Sequence, residues 1–305
     1  MGRLLPIVGE SKCRNQCCKY RGDIRMFHHL SLLQNLKRSD IYDDPFPHII
    51  IDSALPIGLC NELQRTFPPL ASLGVDETAD NQRWSTSARH CQSIPGLSRA
   101  WLDMIDYHTS RTFLNEVVST FKVQLVSLYP EYFSNSDEIM NGRECIRRGD
   151  GNIPKNCLAL DAQISGNTPA KNPGQPNKIH FDATNALYAG LYYLRDASDD
   201  SEGGDLQIWR WRSTYSFREK SSAYSPNIPL RHVELVKTIP YKANTFVLLI
   251  NSIDSLHSVT TRQPTIHTRK FLNLLADAPA PFFQLQPSML SRAARRLVRG
   301  LQRFS

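Results

Sequence analysis

Apolar positions along the chain follow two different rhythms. Behind Pro45-Phe46-Pro47-His48, the run Ile49-Ile50-Ile51 predicts a strand. Leu59, Leu63 and Phe67 then recur every four residues. That predicts a helix, with Asp52 or Ser53 as its cap and Pro56 in its first turn. A polar loop containing Trp84 follows. Ser98 then caps a predicted long amphipathic helix running through Trp101, Leu102, Ile105, Phe113, Leu114, Val117, Val118 and Phe121. From about residue 155 the rhythm shortens to strands punctuated by Gly, Asn, Pro, Asp and Ser. The predicted strands are Leu158–Ile164, Lys178–Phe181, Leu187–Leu194, Asp205–Arg210, His232–Lys237, Thr245–Asn251, His257–Val259 and Phe271–Leu275. Short strands with no long helix between them predict an α+β fold with a mainly β core, a sandwich or jelly roll with helices on its amino-terminal side.

This divides the 305 residues into an irregular basic segment 1–44, a single domain 45–288 and a basic tail 289–305. Within the domain, 45–154 is helical support and 155–278 the jelly-roll core. Composition agrees with a folded soluble chain, at 41% apolar and 21% charged. The net charge of +7 belongs to the ends: residues 1–24 hold five basic and two acidic side chains, and 289–305 hold five arginines and no acid. The body between is near neutral, which disfavours a nucleic-acid partner. Arg292, Arg295, Arg296, Arg299 and Arg303 make the tail a candidate for contact with an acidic surface. The longest apolar run, Phe246–Ile250, is far too short to span a membrane. The amino terminus shows neither a secretory h-region nor a myristoylation pattern, so a cytoplasmic protein is expected. Its seven cysteines are odd in number and irregularly spaced, which predicts reduced thiols. The Cys13, Cys17, Cys18 cluster lacks zinc-site spacing.

Chemistry enters with His180-Phe181-Asp182. In an extended chain, residues i and i+2 face one way, so imidazole and carboxylate can share a metal while Phe181 packs behind them. A third neutral donor would complete a 2-His-1-carboxylate facial triad with three open positions. His257, just after the apolar strand 245–251, is the candidate. Arg269 opens the next strand, where a guanidinium is costly unless matched by an anion such as a dicarboxylate. Each element alone is commonplace: H-x-D arises by chance, a lone histidine is usually core, and a lone arginine is usually a surface ion pair. The ordered set, with the Gly203-Gly204-Asp205-Leu206 turn between the histidines, is far more specific.

That set resembles the double-stranded β-helix core of 2-oxoglutarate/Fe(II) dioxygenases, in the prolyl 4-hydroxylase-like branch, over residues 158–276. The resemblance implies His180, Asp182 and His257 as iron ligands, and Arg269 as partner of the distal carboxylate of 2-oxoglutarate. In Gly190-Leu191-Tyr192-Tyr193-Leu194 it implies Tyr193 as a second partner of that carboxylate. It implies Fe(II), 2-oxoglutarate and O2, with ascorbate as a candidate accessory reductant, and hydroxylation of a substrate C–H bond with release of succinate and CO2. Related halogenases carry a small residue at the position of Asp182, so the carboxylate favours hydroxylation. The His257–Arg269 spacing is longer than usual, with Pro264 in the extra loop, which leaves Arg262 and His267 as rivals. Leu275 stands where the nucleic-acid demethylase branch has a second arginine. A small-molecule, glycan or amino-acid-derived substrate is expected, with a peptidyl-prolyl substrate or a non-enzymatic jelly-roll binding protein as alternatives. The loop Ser165–Asn177 is a candidate lid.

Overall fold

The computed structural model describes residues 28–133, 145–155, 157–212, 215–216, 219–220 and 228–285. The amino-terminal cysteine cluster, most of the 213–230 loop and the arginine-rich tail lie outside the described residues. In chain order, the elements begin with β1 (Ile41–Tyr42), β2 (His48–Ile51), α1 (Ile57–Arg65), β3 (Arg83–Thr86) and α2 (Ala88–Cys91). The helical layer continues through α3 (Arg99–His108), α4 (Arg111–Thr120), α5 (Lys122–Leu128) and α6 (Pro130–Phe133). The strands that follow are β4 (Cys145–Arg147), β5 (Leu158–Asn167), β6 (Ala186–Tyr193), β7 (Leu206–Trp211), β8 (Val233–Ile239), β9 (Phe246–Ile250), β10 (His257–Val259) and β11 (Arg269–Asp277).

These strands form two sheets among the described residues. The major one has the order β1-β2-β9-β6-β11-β5-β3, with β4 beside the start of β5; the minor one has the order β10-β7-β8. Period-two alternation gives the major sheet two chemically distinct faces. Leu160, Ala162 and Ile164 of β5, Leu272 and Leu274 of β11, Tyr188 and Tyr192 of β6 and Phe246, Leu248 and Ile250 of β9 share one buried cluster with Leu63, Trp101, Ile105, Phe113 and Val117 of the helices. The other face turns toward the minor sheet. At one end Val247 and Leu249 meet Leu206, Ile208, Ile239 and Phe46. At the other end it carries Tyr193, Arg269 and Phe271.

The strand pattern predicted for 155–278 is present, with ends shifted by a few residues. Lys178–Phe181 is the exception. It forms a single bridge, His180 with His257, instead of a strand. The predicted long helix is broken into α3 and α4 because Ser110 stops one helix and starts the next. Its hydroxyl donates to Tyr107 O at 2.6 Å and accepts from Phe113 N at 3.3 Å. Ser98 does cap α3, accepting from Trp101 N. Neither Asp52 nor Ser53 caps α1: Pro56 holds that position, Asp52 accepts from Thr245 Oγ1 at 3.1 Å, and Ser53 turns the chain at φ +57°. The segment 28–44, read as irregular, supplies β1 and buries Leu30, Leu32 and Leu33 in the helix-side core. The polar Trp84 loop contains strand β3. Trp84 lies over Gly166 of β5, where an added Cβ would sit 2.8 Å from the indole, and that anchor sends Arg83 to the inner face.

Candidate metal centre and its polar wall

His180 and His257 are held opposite each other by a reciprocal pair of backbone hydrogen bonds, 3.0 Å from His180 N to His257 O and 2.9 Å in return. This brings their rings to 4.3 Å between centroids. Asp182, two residues on, faces the same space. Its carboxylate oxygens lie 4.0 Å from His180 Nε2 and 3.9 Å from His257 Nε2. Phe181 is buried behind, against Trp209, Trp211 and Leu256. One ligand atom from each of the three residues falls within 4.8 Å of the others, the one such group among the described residues.

The tautomers suit a metal. His180 Nδ1 lies 2.6 Å from Lys178 O and His257 Nδ1 lies 2.9 Å from Ser255 O. A carbonyl only accepts, so both Nδ1 atoms carry a proton, and Nε2 is the nitrogen of each ring that faces the carboxylate. Burial, reinforced by the neighbouring His257 ring, pushes His180 down to about 4 against the pull of Asp182. Its imidazole is therefore neutral at pH 7, as a ligand must be.

Arg269 opens β11 on the inner side of the major sheet. It is 2% exposed, and its guanidinium lies over three rings: Tyr193 at 5.1 Å, Tyr241 at 5.1 Å and Phe271 at 4.8 Å. Nε donates to Gly204 O at 2.9 Å, while Nη2 is buried with no hydrogen-bond partner. The glycine turn makes this seat. At Gly204, with φ +82°, a Cβ would lie 3.2 Å from Arg269 Cδ, and at Gly203, with φ +80°, it would strike Thr261 O at 1.9 Å. Tyr193 Oη is likewise buried and unpartnered. Burial raises its pKa against the pull of Arg269, so the phenol keeps its proton and remains a donor.

The rival arginine is already committed. Arg262, 1% exposed, donates from Nη1 to Asn81 Oδ1 and Thr168 O and from Nη2 to His267 O, each at 2.8 Å. Its work is to fasten loops. His267 Nε2 lies 3.3 Å from Asp200 Oδ1. The loop after β5, expected as a lid, is stitched down by reciprocal backbone bonds between Ala170 and Thr265 and between Gly174 and Arg262. Four backbone bonds and the Arg262 side chain tie it to the 262–267 segment.

Two residues near Arg269 escaped the sequence reading. Tyr241 completes the ring box from a loop that carries no periodic signal. Arg83 sits on β3, in a stretch read as loop; the alternation Arg83, Trp84, Ser85 was the available sign of a strand.

No protein-family model matches the chain, and no curated protein matches it by sequence. Among solved structures, the chain is similar to a Pseudomonas putida prolyl-4-hydroxylase at 11% identity, over 76% of this chain and 92% of that one, with a TM-score of 0.40. It is similar to the non-heme alpha ketoglutarate dependent carbocyclase SnoK from nogalamycin biosynthesis at 11% identity, over 86% and 91%, with a TM-score of 0.43. It is also similar to HygX from Streptomyces hygroscopicus, solved with nickel and 2-oxoglutarate bound, at 12% identity, over 83% and 90%, with a TM-score of 0.41. Likeness this loose transfers no residue role, so the functional reading rests on the site itself. No helix among the described residues is long and apolar enough to cross a membrane.

Proposed function

We propose that the chain is a non-haem Fe(II)/2-oxoglutarate-dependent dioxygenase that hydroxylates an unactivated C–H bond of a small-molecule, glycan or amino-acid-derived substrate, built on a double-stranded β-helix within a single domain over 45–288 and working in the cytoplasm. One pair of observations carries this reading: a convergent His-Asp-His group, and on the inner side of the major sheet a buried guanidinium with a nitrogen that has no partner among the described residues. Either feature alone has a bland explanation. Together they accept a divalent ion and a dicarboxylate.

The residues fit those groups. His180 Nε2, Asp182 and His257 Nε2 would hold the ion, two nitrogens and one oxygen being the donor set suited to Fe(II) with open positions. Arg269 Nη2 and Tyr193 Oη, both buried and lacking acceptors, would take the distal carboxylate of 2-oxoglutarate. When bound, the iron and its co-substrate supply dioxygen activation, with succinate and CO2 released. The chain's own part is geometric. Lys178 O and Ser255 O hold the imidazole tautomers and ring planes. The Gly203-Gly204 turn and the box of Tyr193, Tyr241 and Phe271 fix the guanidinium fork and keep water from it. The polar wall leaves one face of the triad for a substrate C–H bond.

The deciding experiment is an anaerobic titration of metal-free protein with Fe(II) and then 2-oxoglutarate, with Arg269→Ala alongside. A weak visible charge-transfer absorption is expected in the wild type and a fainter one in the variant at equal co-substrate. Folded wild-type protein that shows no absorption overturns the reading.

A further inference from the structure

Arg83, Asn167 and Arg269 are cross-strand neighbours: Arg83 pairs with Asn167 across β3 and β5, and Asn167 pairs with Arg269 across β5 and β11. Directly opposed residues point to one face, so the three form a row of donors on the inner wall. The two guanidinium groups share a ring, with Arg83 Cζ 5.4 Å and Arg269 Cζ 4.8 Å from the Phe271 centroid. Between them Asn167, 1% exposed, has its amide nitrogen buried and unpartnered. Arg83 opens to solvent at the sheet edge and makes no ion pair or hydrogen bond among the described residues. Burial chiefly lowers its pKa, and the charges of Arg269 and Asp182 also act on it.

Charge accounting separates the two arginines. A divalent ion, Asp182, the two charges of 2-oxoglutarate and Arg269 cancel among themselves. Arg83 is left over, beside a carboxamide whose amide nitrogen has no acceptor among the described residues. Resting on the dioxygenase reading, we propose that Arg83 and the Asn167 carboxamide form an oxyanion subsite for the primary substrate, which therefore carries a carboxylate or phosphate group close to the C–H bond it presents. The guanidinium fork suits either group, and the amide supplies a neutral donor beside it.

The test uses folded protein loaded with Mn(II), a paramagnetic stand-in at the triad, and saturated with 2-oxoglutarate. Acetate and inorganic phosphate are the probes, read by the Mn(II)-induced relaxation of the acetate methyl protons and the phosphate phosphorus. Co-substrate affinity is measured by calorimetry on the same samples. Arg83→Gln should reduce the relaxation of the favoured probe by about 5- to 10-fold, the loss of one charged, solvent-facing contact, while 2-oxoglutarate affinity stays within about 3-fold. Arg83→Lys should keep part of the effect, since the charge remains and the fork is lost. The stronger-relaxing probe separates carboxylate from phosphate. Relaxation unchanged in Arg83→Gln would overturn the subsite, as would a loss of 2-oxoglutarate affinity in that variant, which would hand Arg83 to the co-substrate. Wild-type protein that binds neither Mn(II) nor 2-oxoglutarate overturns the dioxygenase reading, and with it the charge count behind this one.

Discussion

Arg269→Met separates a side chain kept for a ligand from one kept for the fold. In the free protein Arg269 is 2% exposed, and among the described residues its Nη2 has no acceptor and no carboxylate pairs with it. An unsatisfied buried donor costs about 1–3 kcal/mol. Methionine removes that cost and still lies against Tyr193, Tyr241 and Phe271, to which a thioether packs well. The substitution forfeits the 2.9 Å bond from Nε to Gly204 O, about 1 kcal/mol, and part of the cation–π attraction. The balance is a ligand-free protein within about 1–2 kcal/mol of the wild type, a change of no more than roughly 2–6 °C in melting temperature for a domain of this size. The bound state moves the other way. A charge-assisted contact to the distal carboxylate is worth about 3 kcal/mol, so 2-oxoglutarate affinity should fall about 150-fold. Scanning calorimetry of metal-free protein and co-substrate calorimetry on Mn(II)-loaded protein read the two halves. A variant that melts well below the wild type and yet binds 2-oxoglutarate normally would refute the reasoning, because Arg269 would then be a structural cation.

Three further outcomes follow from other contacts. Gly204→Ala should weaken 2-oxoglutarate binding about 10-fold with metal binding kept, because its Cβ would press on Arg269 at 3.2 Å from a backbone at φ +82°; calorimetry checks both. His180→Ala and His257→Ala should each abolish stoichiometric Fe(II) binding, measured by equilibrium dialysis, and full retention in either would remove that residue from the metal group. His108 is completely buried, with Nδ1 2.7 Å from Met104 O, and burial pushes it down to about 4. The unfolded chain protonates this histidine below about 6.5 and the folded chain only near 4, so its stabilising contribution is complete above pH 6.5 and is lost as pH falls, by up to about 3 kcal/mol at pH 4. Urea denaturation across that window should show a steeper loss in the wild type than in His108→Gln.

What could be read from the sequence depended on how local the signal was. His180, Asp182 and His257 were legible because an i, i+2 pair and a histidine behind an apolar strand need no knowledge of the turns between. Arg269 was legible by its place at the start of a strand, although its distinction from Arg262 was not. That choice turns on Asn81, Thr168 and His267, each of which satisfies Arg262 from a distant part of the chain. Strand β3 was hidden because its four residues gain their order from Trp84 lying over Gly166, a contact between segments about 80 positions apart. The helix break at Ser110 was hidden for the opposite reason. The apolar period runs straight through it, and a single hydroxyl that can cap decides the matter.

The two faces of the major sheet divide stability from chemistry. The helix-facing side carries the apolar cluster, in which Leu160, Ile164, Tyr192, Phe246, Leu272 and Leu274 are fully buried. The inner side is apolar where Val247 and Leu249 meet β7 and β8; farther along, beside Phe271, it carries Arg83, Asn167, Tyr193 and Arg269. Asn167, Tyr193 and Arg269 are buried there with polar atoms that find no partner among the described residues. A face under selection for folding alone would fill such positions with apolar side chains or pair them. These unmet donors lie on neighbouring strands of one face, and their shared deficit is an acceptor. An anion entering there would satisfy the wall and the metal group together. The ligand-free protein therefore carries a local instability that binding removes, and saturating metal and 2-oxoglutarate should raise its melting temperature more in the wild type than in Arg269→Met.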